Sequence, residues 1–200
     1  MTRINKGRPY PLGSSITSAG VNFSLIATNA EYVEILLFEK EDSISPKYIF
    51  KLDQNNNTGP YWHAEIKNIK EGCIYAFRIK QKNNEINKNY EKKVLLDPCS
   101  RGITGWTNYK RENALKTQEN TNTCLKSVVC ERKSFNFKDY PRPKHSWEET
   151  IIYELHIKAF TESTDGDESC CKKFLKKIPY LKELGITTIE LLPIFSFDPT

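Results

Sequence analysis

Two carboxylates in the last quarter of the chain, Glu154 and Glu190, have the chemistry that a hydrolase needs. Carboxyl groups act as a pair in hydrolysis when one is held protonated as the acid and the other is ionised. Glu154 and Glu190 each lie in the middle of an apolar run, however. We therefore expect both to be buried and paired with neighbouring groups rather than presented to a substrate.

Two other candidates for chemistry, His156 and Asp198, also have simpler explanations. Asp198 precedes Pro199, which is typical of a loop turn. His156 has no nucleophile beside it in the sequence, so we expect a packing or hydrogen-bonding role at the end of a strand. The sequence therefore predicts no catalytic residue in these 200 positions.

The six cysteines and three histidines do not form a metal-binding pattern. No Cys-x-x-Cys occurs, Cys170 and Cys171 are adjacent, and His63, His145 and His156 are far apart. We predict no metal and no cofactor. Because no apolar export signal follows the basic start of the chain, we expect reduced thiols and a cytoplasmic location.

The charge and hydropathy patterns argue against two classes of partner. Thirty basic and twenty-five acidic residues give a net charge of +5, which is mild for 200 residues and argues against nucleic acid. No stretch approaches the roughly 18 apolar residues of a membrane span, so we expect no membrane partner. Apolar residues make up 38% of the chain, which is enough for one domain or part of two. The oligomeric state is left open.

The first hundred residues alternate apolar and polar side chains, with turn signals every ~8–12 residues. One face of each segment is apolar and the other carries Ser, Glu, Lys and Arg, which predicts half-buried antiparallel strands. We predict an all-β, immunoglobulin-like sandwich over residues 1–112. The strand segments centre on Val21–Leu25, Val33–Leu37, Tyr48–Leu52, Trp62–Ile66 and Tyr75–Ile79.

The chain becomes polar after the predicted sandwich. We predict a linker over residues 113–146, interrupted by one short apolar piece, Ser127–Cys130, that has the composition of a last strand. From residue 147 the pattern changes to an apolar run, a helical pattern that ends before Gly185, and a second apolar run. This order predicts a β-α-β unit with parallel strands over residues 147–200.

Several motifs are specific enough to indicate a family. In their order and spacing the chain resembles isoamylase-type glycogen debranching enzymes. Members of that family join an N-terminal β-sandwich (carbohydrate-binding module family 48) to an α-amylase-superfamily (β/α)8 barrel of glycoside hydrolase family 13. The motifs are Gly7–Gly13, Gly20–Leu25, Leu95–Pro98, Ile152–His156, Ile178–Thr187 and Glu190–Pro193.

The resemblance implies a retaining hydrolase that debranches glycogen or a similar α-glucan at α-1,6-glucosidic bonds. It places the nucleophile Asp, the acid Glu and the stabilising Asp on the fourth, fifth and seventh barrel strands. The sequence ends after the second predicted strand. We therefore expect an N-terminal fragment: a sandwich followed by the truncated start of a (β/α)8 barrel, without hydrolytic activity of its own.

Carbohydrate contact by the sandwich is the activity that remains for such a fragment. Sugars present apolar CH faces that stack on aromatic rings. We predict contacts from Trp62, His63 and Trp106, and also consider Tyr61 and Tyr109. Core packing of Trp62 and burial of the Trp106 loop are the alternatives.

Other functional readings also remain open. One alternative is a non-catalytic α-glucan-binding module, and another is the remnant of a disrupted gene. Branching and trehalose-forming enzymes share the same layout of sandwich and barrel, so the resemblance does not exclude a sibling activity.

Overall fold

The structure, a computed structural model, describes residues 3–82, 92–162 and 169–195. The chain divides into two compact units, Met1–Ser134 and Phe135–Thr200. The described part of the first unit consists mainly of β-strands. The described part of the second contains two strands and two α-helices.

The strands of the first unit pair into two antiparallel sheets. In the first sheet the order is β1-β7-β3-β2, with β6 paired to β7, and in the second it is β5-β4-β8-β10-β9. In chain order the strands are β1 (Ile4–Lys6), β2 (Gly13–Ile16), β3 (Gly20–Ile26), β4 (Ala30–Phe38), β5 (Tyr48–Leu52), β6 (Asn57–Thr58), β7 (Tyr61–Lys67), β8 (Ile74–Gln81), β9 (Gly102–Thr104) and β10 (Lys126–Val128).

The core of the first unit lies between the two sheets. Side chains from β3 and β7 of the first sheet and from β4 and β8 of the second form one buried cluster. At its centre the Phe23 ring meets the Tyr75 ring edge-on, with the centroids 4.8 Å apart. The alternation read from the sequence is confirmed, and the first unit is a β-sandwich.

The polar outer face of the first sheet is covered, although the sequence pattern predicts an exposed one. The Asn22 side chain accepts a hydrogen bond from the Arg8 N–H at 2.7 Å and donates to the Arg8 carbonyl at 3.0 Å. Ser24 donates its hydroxyl proton to the Pro9 carbonyl at 2.6 Å. The segment that precedes β2 therefore lies over this face and satisfies its polar groups.

The outer face of the second sheet is covered by the chain that follows β8. Val94 and Cys124 pack there against Leu36, Phe38 and Ala76 of β4 and β8. The same segment contains the short helix α1 (Arg111–Leu115) and ends in β10, which pairs with both β8 and β9. This packing carries the first compact unit through Ser134, beyond the predicted sandwich limit at residue 112 and into the predicted linker of residues 113–146.

The second unit contains the predicted strand, helix and strand. Its elements are β11 (Ile152–Leu155), α2 (Ile157–Thr161), α3 (Cys170–Glu183) and β12 (Thr188–Leu191). The strands β11 and β12 pair in parallel. The helix α3 ends as predicted, because Gly185 takes a positive φ of 83° and donates its N–H to the Lys182 carbonyl at 3.0 Å.

One side of the β11–β12 sheet packs on the helices. Leu155, Ile157, Phe174 and Leu181 form a small buried cluster there. Two apolar residues of the predicted helical pattern, Leu175 and Leu184, lie outside this cluster, because they are 62% and 53% exposed.

Candidate carbohydrate-binding pocket

Trp62 lies in the core of the sandwich. Its side chain is 3% exposed, and the indole N–H donates a hydrogen bond to the Ala27 carbonyl at 3.0 Å. Both the ring and its polar atom are therefore used inside the protein. The structure places this predicted contact residue where core packing explains it.

His63 follows Trp62 on β7 and faces the opposite side of the sheet, beneath the covering N-terminal segment. It is 1% exposed, and its Nε2 lies 2.8 Å from the Thr58 hydroxyl oxygen. Burial lowers the pKa of this imidazole, the charge of Lys6 lowers it further, and the Gly7 backbone opposes both effects. His63 is thus an enclosed side chain whose surroundings favour the uncharged form of the imidazole.

Trp106 is the predicted contact residue that reaches the surface. It opens a single 3-10 turn, Trp106–Asn108, after Gly105, whose φ of 98° favours glycine. A Cβ at Gly105 would also lie only 3.0 Å from the Cys124 carbonyl oxygen. Trp106 is half-buried, and its ring meets the half-buried Tyr109 ring edge-on at a centroid distance of 5.7 Å.

A surface pocket of about 200 Å³ is lined in part by Tyr109. Its inner wall includes Val94 and Cys124, which are 2% and 5% exposed, and Leu95 and Ala114 add further apolar surface. Burial raises the pKa of the Cys124 thiol, which is therefore an uncharged part of this wall.

The polar residues that line the pocket are engaged with the backbone. The Asn120 amide accepts from the Val94 N–H at 2.9 Å and donates to the Val94 carbonyl at 3.2 Å. The Lys93 ammonium donates to the carbonyls of Ala114 and Lys116, beside the end of α1. These contacts hold the wall in place and leave the pocket with a mainly apolar surface.

A buried hydrogen bond anchors the chain just beyond this wall. The Tyr75 hydroxyl donates to Asp97 Oδ2 at 2.6 Å, and the Asp97 N–H donates to the Ser127 hydroxyl oxygen at 3.0 Å. Burial raises the pKa of Asp97, while the hydrogen bond from Tyr75 lowers it. Burial also raises the pKa of Tyr75, and the nearby Asp97 carboxylate adds to that shift. The segment that follows the pocket wall is thus tied to both β8 and β10.

The carboxylates of the second unit are arranged differently from the sequence prediction. Glu154 and Glu190 are neighbours in the register of β11 and β12, and both are exposed instead of buried. The described helices of the second unit pack on the other side of this sheet, around Leu155, and leave the face with the two glutamates uncovered within that unit. Asp198 lies outside the described residues. His156 has the predicted hydrogen-bonding role, because its Nδ1 accepts from the Ala159 N–H at 3.2 Å at the start of α2.

The described ranges are residues 3–82, 92–162 and 169–195. Within them, no cluster of three or more His, Cys, Asp or Glu side chains could hold a metal ion. None of the helices there has the length and apolar character needed to cross a membrane.

The pocket itself was not predicted from sequence. The sequence indicates Tyr109 as a candidate for carbohydrate contact. Val94, Asn120 and Cys124 belong to no sequence pattern that indicates a binding site. Asn120 and Cys124 fall within the stretch predicted to be a linker. The apolar pair Leu95-Leu96 before Asp97-Pro98 was the one local signal of a buried segment there.

Comparison with known families gives a match within the sandwich. Residues 11–100 match carbohydrate-binding module 48 (isoamylase N-terminal domain). The first unit of this chain therefore contains a carbohydrate-binding module 48 domain, as the sequence motifs predict.

Proteins named glycogen debranching enzyme align with nearly the whole chain. The enzyme of Pectobacterium carotovorum is 28% identical over 209 residues, which cover 97% of this chain and 30% of the relative. The enzyme of Erwinia tasmaniensis is 31% identical over 211 residues, covering 98% of this chain and 31% of the relative. The chain thus spans about three tenths of the length of these curated relatives.

Solved structures share the fold. The catalytic module of the glycogen-degrading pneumococcal virulence factor SpuA superposes with a TM-score of 0.68 at 18% identity, covering 96% of this chain and 28% of that one. The apo pullulanase of Paenibacillus barengoltzii gives a TM-score of 0.65 at 19% identity, covering 94% and 27%. At these identities the likeness concerns the fold.

Proposed function

We propose that this chain is the N-terminal part of a glycoside hydrolase that debranches glycogen or a related α-glucan by hydrolysing α-1,6-glucosidic bonds. The observation that carries the proposal is the alignment of 97–98% of the chain with glycogen debranching enzymes, with a carbohydrate-binding module 48 domain at residues 11–100. In this proposal the sandwich binds the glucan, and hydrolysis belongs to a catalytic domain that these 200 residues only begin.

The second unit is proposed to be the first β-α-β unit of a (β/α)8 barrel. The parallel pairing of β11 with β12 supports this assignment. So does the exposed sheet face with Ile152, Glu154 and Glu190, because that face would line the interior of a closed barrel. Glu154 and Glu190 are exposed neighbours in the strand register, and we assign neither a catalytic role.

Trp106 is proposed as the surface aromatic residue that contacts glucan. Its half-exposed ring supports this, whereas Trp62 and His63 are enclosed by protein in the unit that carries them. A cytoplasmic location is also proposed, and the six free cysteines fit a reducing compartment.

Two assays on the 200-residue chain test the proposal. We expect retarded migration in native gels that contain glycogen, and no release of reducing ends from glycogen or pullulan. Absence of retardation would contradict the proposed binding role, and turnover above a mock preparation would contradict the assignment of catalysis to other residues. The alternative, a non-catalytic α-glucan-binding module, also predicts retardation without hydrolysis. Debranching by a longer gene product that contains these residues would then separate the two.

A further inference from the structure

The pocket beside Tyr109 ends in packed protein. Its inner residues Val94 and Cys124 belong to the buried cluster on the outer face of the second sheet, where they contact side chains of β4 and β8. A ligand group that enters past Tyr109 therefore meets a closed apolar wall. This differs from a flat aromatic platform, along which a polymer continues in both directions.

The size of the pocket limits what it holds. Pockets for complete drug-sized ligands span roughly 300–1,000 Å³, and this one measures about 200 Å³. It has room for a single ring and no room for a chain that passes through. A ring at the end of a chain enters such a pocket most easily, because it has one neighbouring unit to leave outside instead of two.

The chemistry of the lining favours a ring with one apolar face. The Lys93 ammonium and the Asn120 amide are engaged by backbone groups, so the wall offers few hydrogen bonds to a ligand. The Tyr109 ring at the edge is supported by Trp106 at 5.7 Å. A glucosyl ring fits this arrangement when its CH face packs on the aromatic and apolar wall and its hydroxyl groups point to the open side of the pocket, where water reaches them.

We propose that this pocket is a subsite for one terminal glucosyl unit of an α-glucan, so that the domain recognises chain ends rather than the sides of chains. The inference rests on the proposed glucan binding of the first unit and adds that this binding is selective for chain ends. Glycogen carries many non-reducing ends, so a weak single subsite gains avidity on such a polymer.

A matched pair of ligands tests the end-recognition directly in the unaltered chain. Maltoheptaose and β-cyclodextrin contain the same seven α-1,4-linked glucosyl units, but the cyclodextrin has no end. We expect maltoheptaose to bind in isothermal titration calorimetry and β-cyclodextrin to bind at least roughly tenfold more weakly. Equal binding of the two would overturn the proposal.

A matched pair of variants tests the location. Ala114→Trp places a large side chain on the pocket wall, whereas Leu115→Trp places it at the next position of α1, which is 76% exposed. We expect Ala114→Trp to reduce maltoheptaose binding at least roughly tenfold and Leu115→Trp to leave it unchanged. Thermal unfolding of both variants checks that they remain folded. Tyr109→Ala supplies a second test, since it removes the aromatic edge without filling the pocket.

The outcomes separate this inference from the proposed function. If the unaltered chain binds glycogen but Ala114→Trp and Tyr109→Ala bind maltoheptaose normally, the glucan site lies elsewhere and only the pocket assignment is wrong. If the unaltered chain binds neither glycogen nor maltoheptaose, the proposed glucan binding and the subsite both fail.

Discussion

The two units of this chain bury their sheets in different ways. In the sandwich, both sheets share a core, and their outer faces are covered by the segment before β2 and by the segment after β8. Among the described residues of the second unit, helices cover one side of the β11–β12 sheet, and Ile152 on its other side is 53% exposed. Similar apolar runs are therefore enclosed in one unit and left partly exposed in the other.

The difference shows that an apolar pattern needs a partner layer to become a core. Strands of the sandwich find that layer within their own unit, Met1–Ser134. The second unit offers two parallel strands and two helices, and parallel sheets are normally covered on both faces. We therefore expect the sandwich to account for most of the folding free energy and the second unit to open more readily.

Truncating one buried phenylalanine in each unit should give the largest difference in stability effects between the two units. Phe23 is 0% exposed within the shared core, whereas Phe174 is 9% exposed in the small cluster beside α3. We expect Phe23→Ala to lower the free energy of unfolding of the sandwich by about 3–5 kcal/mol. Phe174→Ala should leave that transition unchanged and lower only the amide protection of β11, α3 and β12.

Urea unfolding combined with hydrogen exchange measures both effects. The change in tryptophan fluorescence reports mainly the first unit, because Trp62 is buried there whereas Trp147 of the second unit is already 87% exposed in the folded chain. Peptide-resolved exchange reports the second unit. If both substitutions shifted a single common transition by the same amount, the two units would unfold together and the contrast between them would be lost.

The strands of the sandwich could be predicted because alternation is a local signal. The segments read as strands correspond to β3, β4, β5, β7 and β8. By contrast, β2 reads Gly-Ser-Ser-Ile, has no apolar alternation, and forms because it pairs with β3. Such a strand is specified by its neighbour, which a pattern search along one segment does not detect.

The candidate site was harder to predict because it depends on which segments cover which faces. Alternation implies that Trp62 and His63 point to opposite sides of β7, but it does not show that both sides are covered. The hydrogen bonds between Asn22 and Arg8 that close one side join residues 14 positions apart in sequence. The pocket beside Tyr109 likewise needs the chain after β8 to fold back on the second sheet, and no local pattern specifies that packing.

The histidines of the two units should differ in how they affect the pH dependence of stability, and we expect an effect of intermediate size. His63 is buried with a pKa below the ordinary value of 6.5, whereas His145 in the second unit is exposed. Below about pH 6.5 the unfolded chain takes up a proton that the folded His63 resists, so unfolding becomes easier as the pH falls toward the lowered folded pKa. This contribution is at most about 1.4 kcal/mol per pH unit.

Substitution by glutamine tests this contrast. We expect His63→Gln to reduce the loss of stability between about pH 7 and about pH 5, whatever its effect at neutral pH. His145→Gln, the matched control, should keep the slope of the unaltered chain. Chemical unfolding at a series of pH values gives the slopes, and an unchanged slope in His63→Gln would contradict the assignment of a buried, uncharged imidazole.

Two glycines with positive φ should give the smallest effects, and they differ by what surrounds them. Gly105 has a φ of 98°, and a Cβ there would lie 3.0 Å from the Cys124 carbonyl oxygen. Gly185 has a φ of 83°, and a Cβ there would meet no other atom within 4 Å. Alanine at Gly185 therefore costs backbone strain alone, about 1 kcal/mol, whereas alanine at Gly105 adds a contact with the backbone beside the pocket.

We expect Gly105→Ala to destabilise the sandwich by more than about 1 kcal/mol and to weaken maltoheptaose binding, because Trp106 follows it directly. Gly185→Ala should only loosen the end of α3 in hydrogen exchange. Equal effects of the two substitutions on the sandwich transition would show that the turn before Trp106 tolerates rearrangement, and that Tyr109 does not need its position fixed from that side.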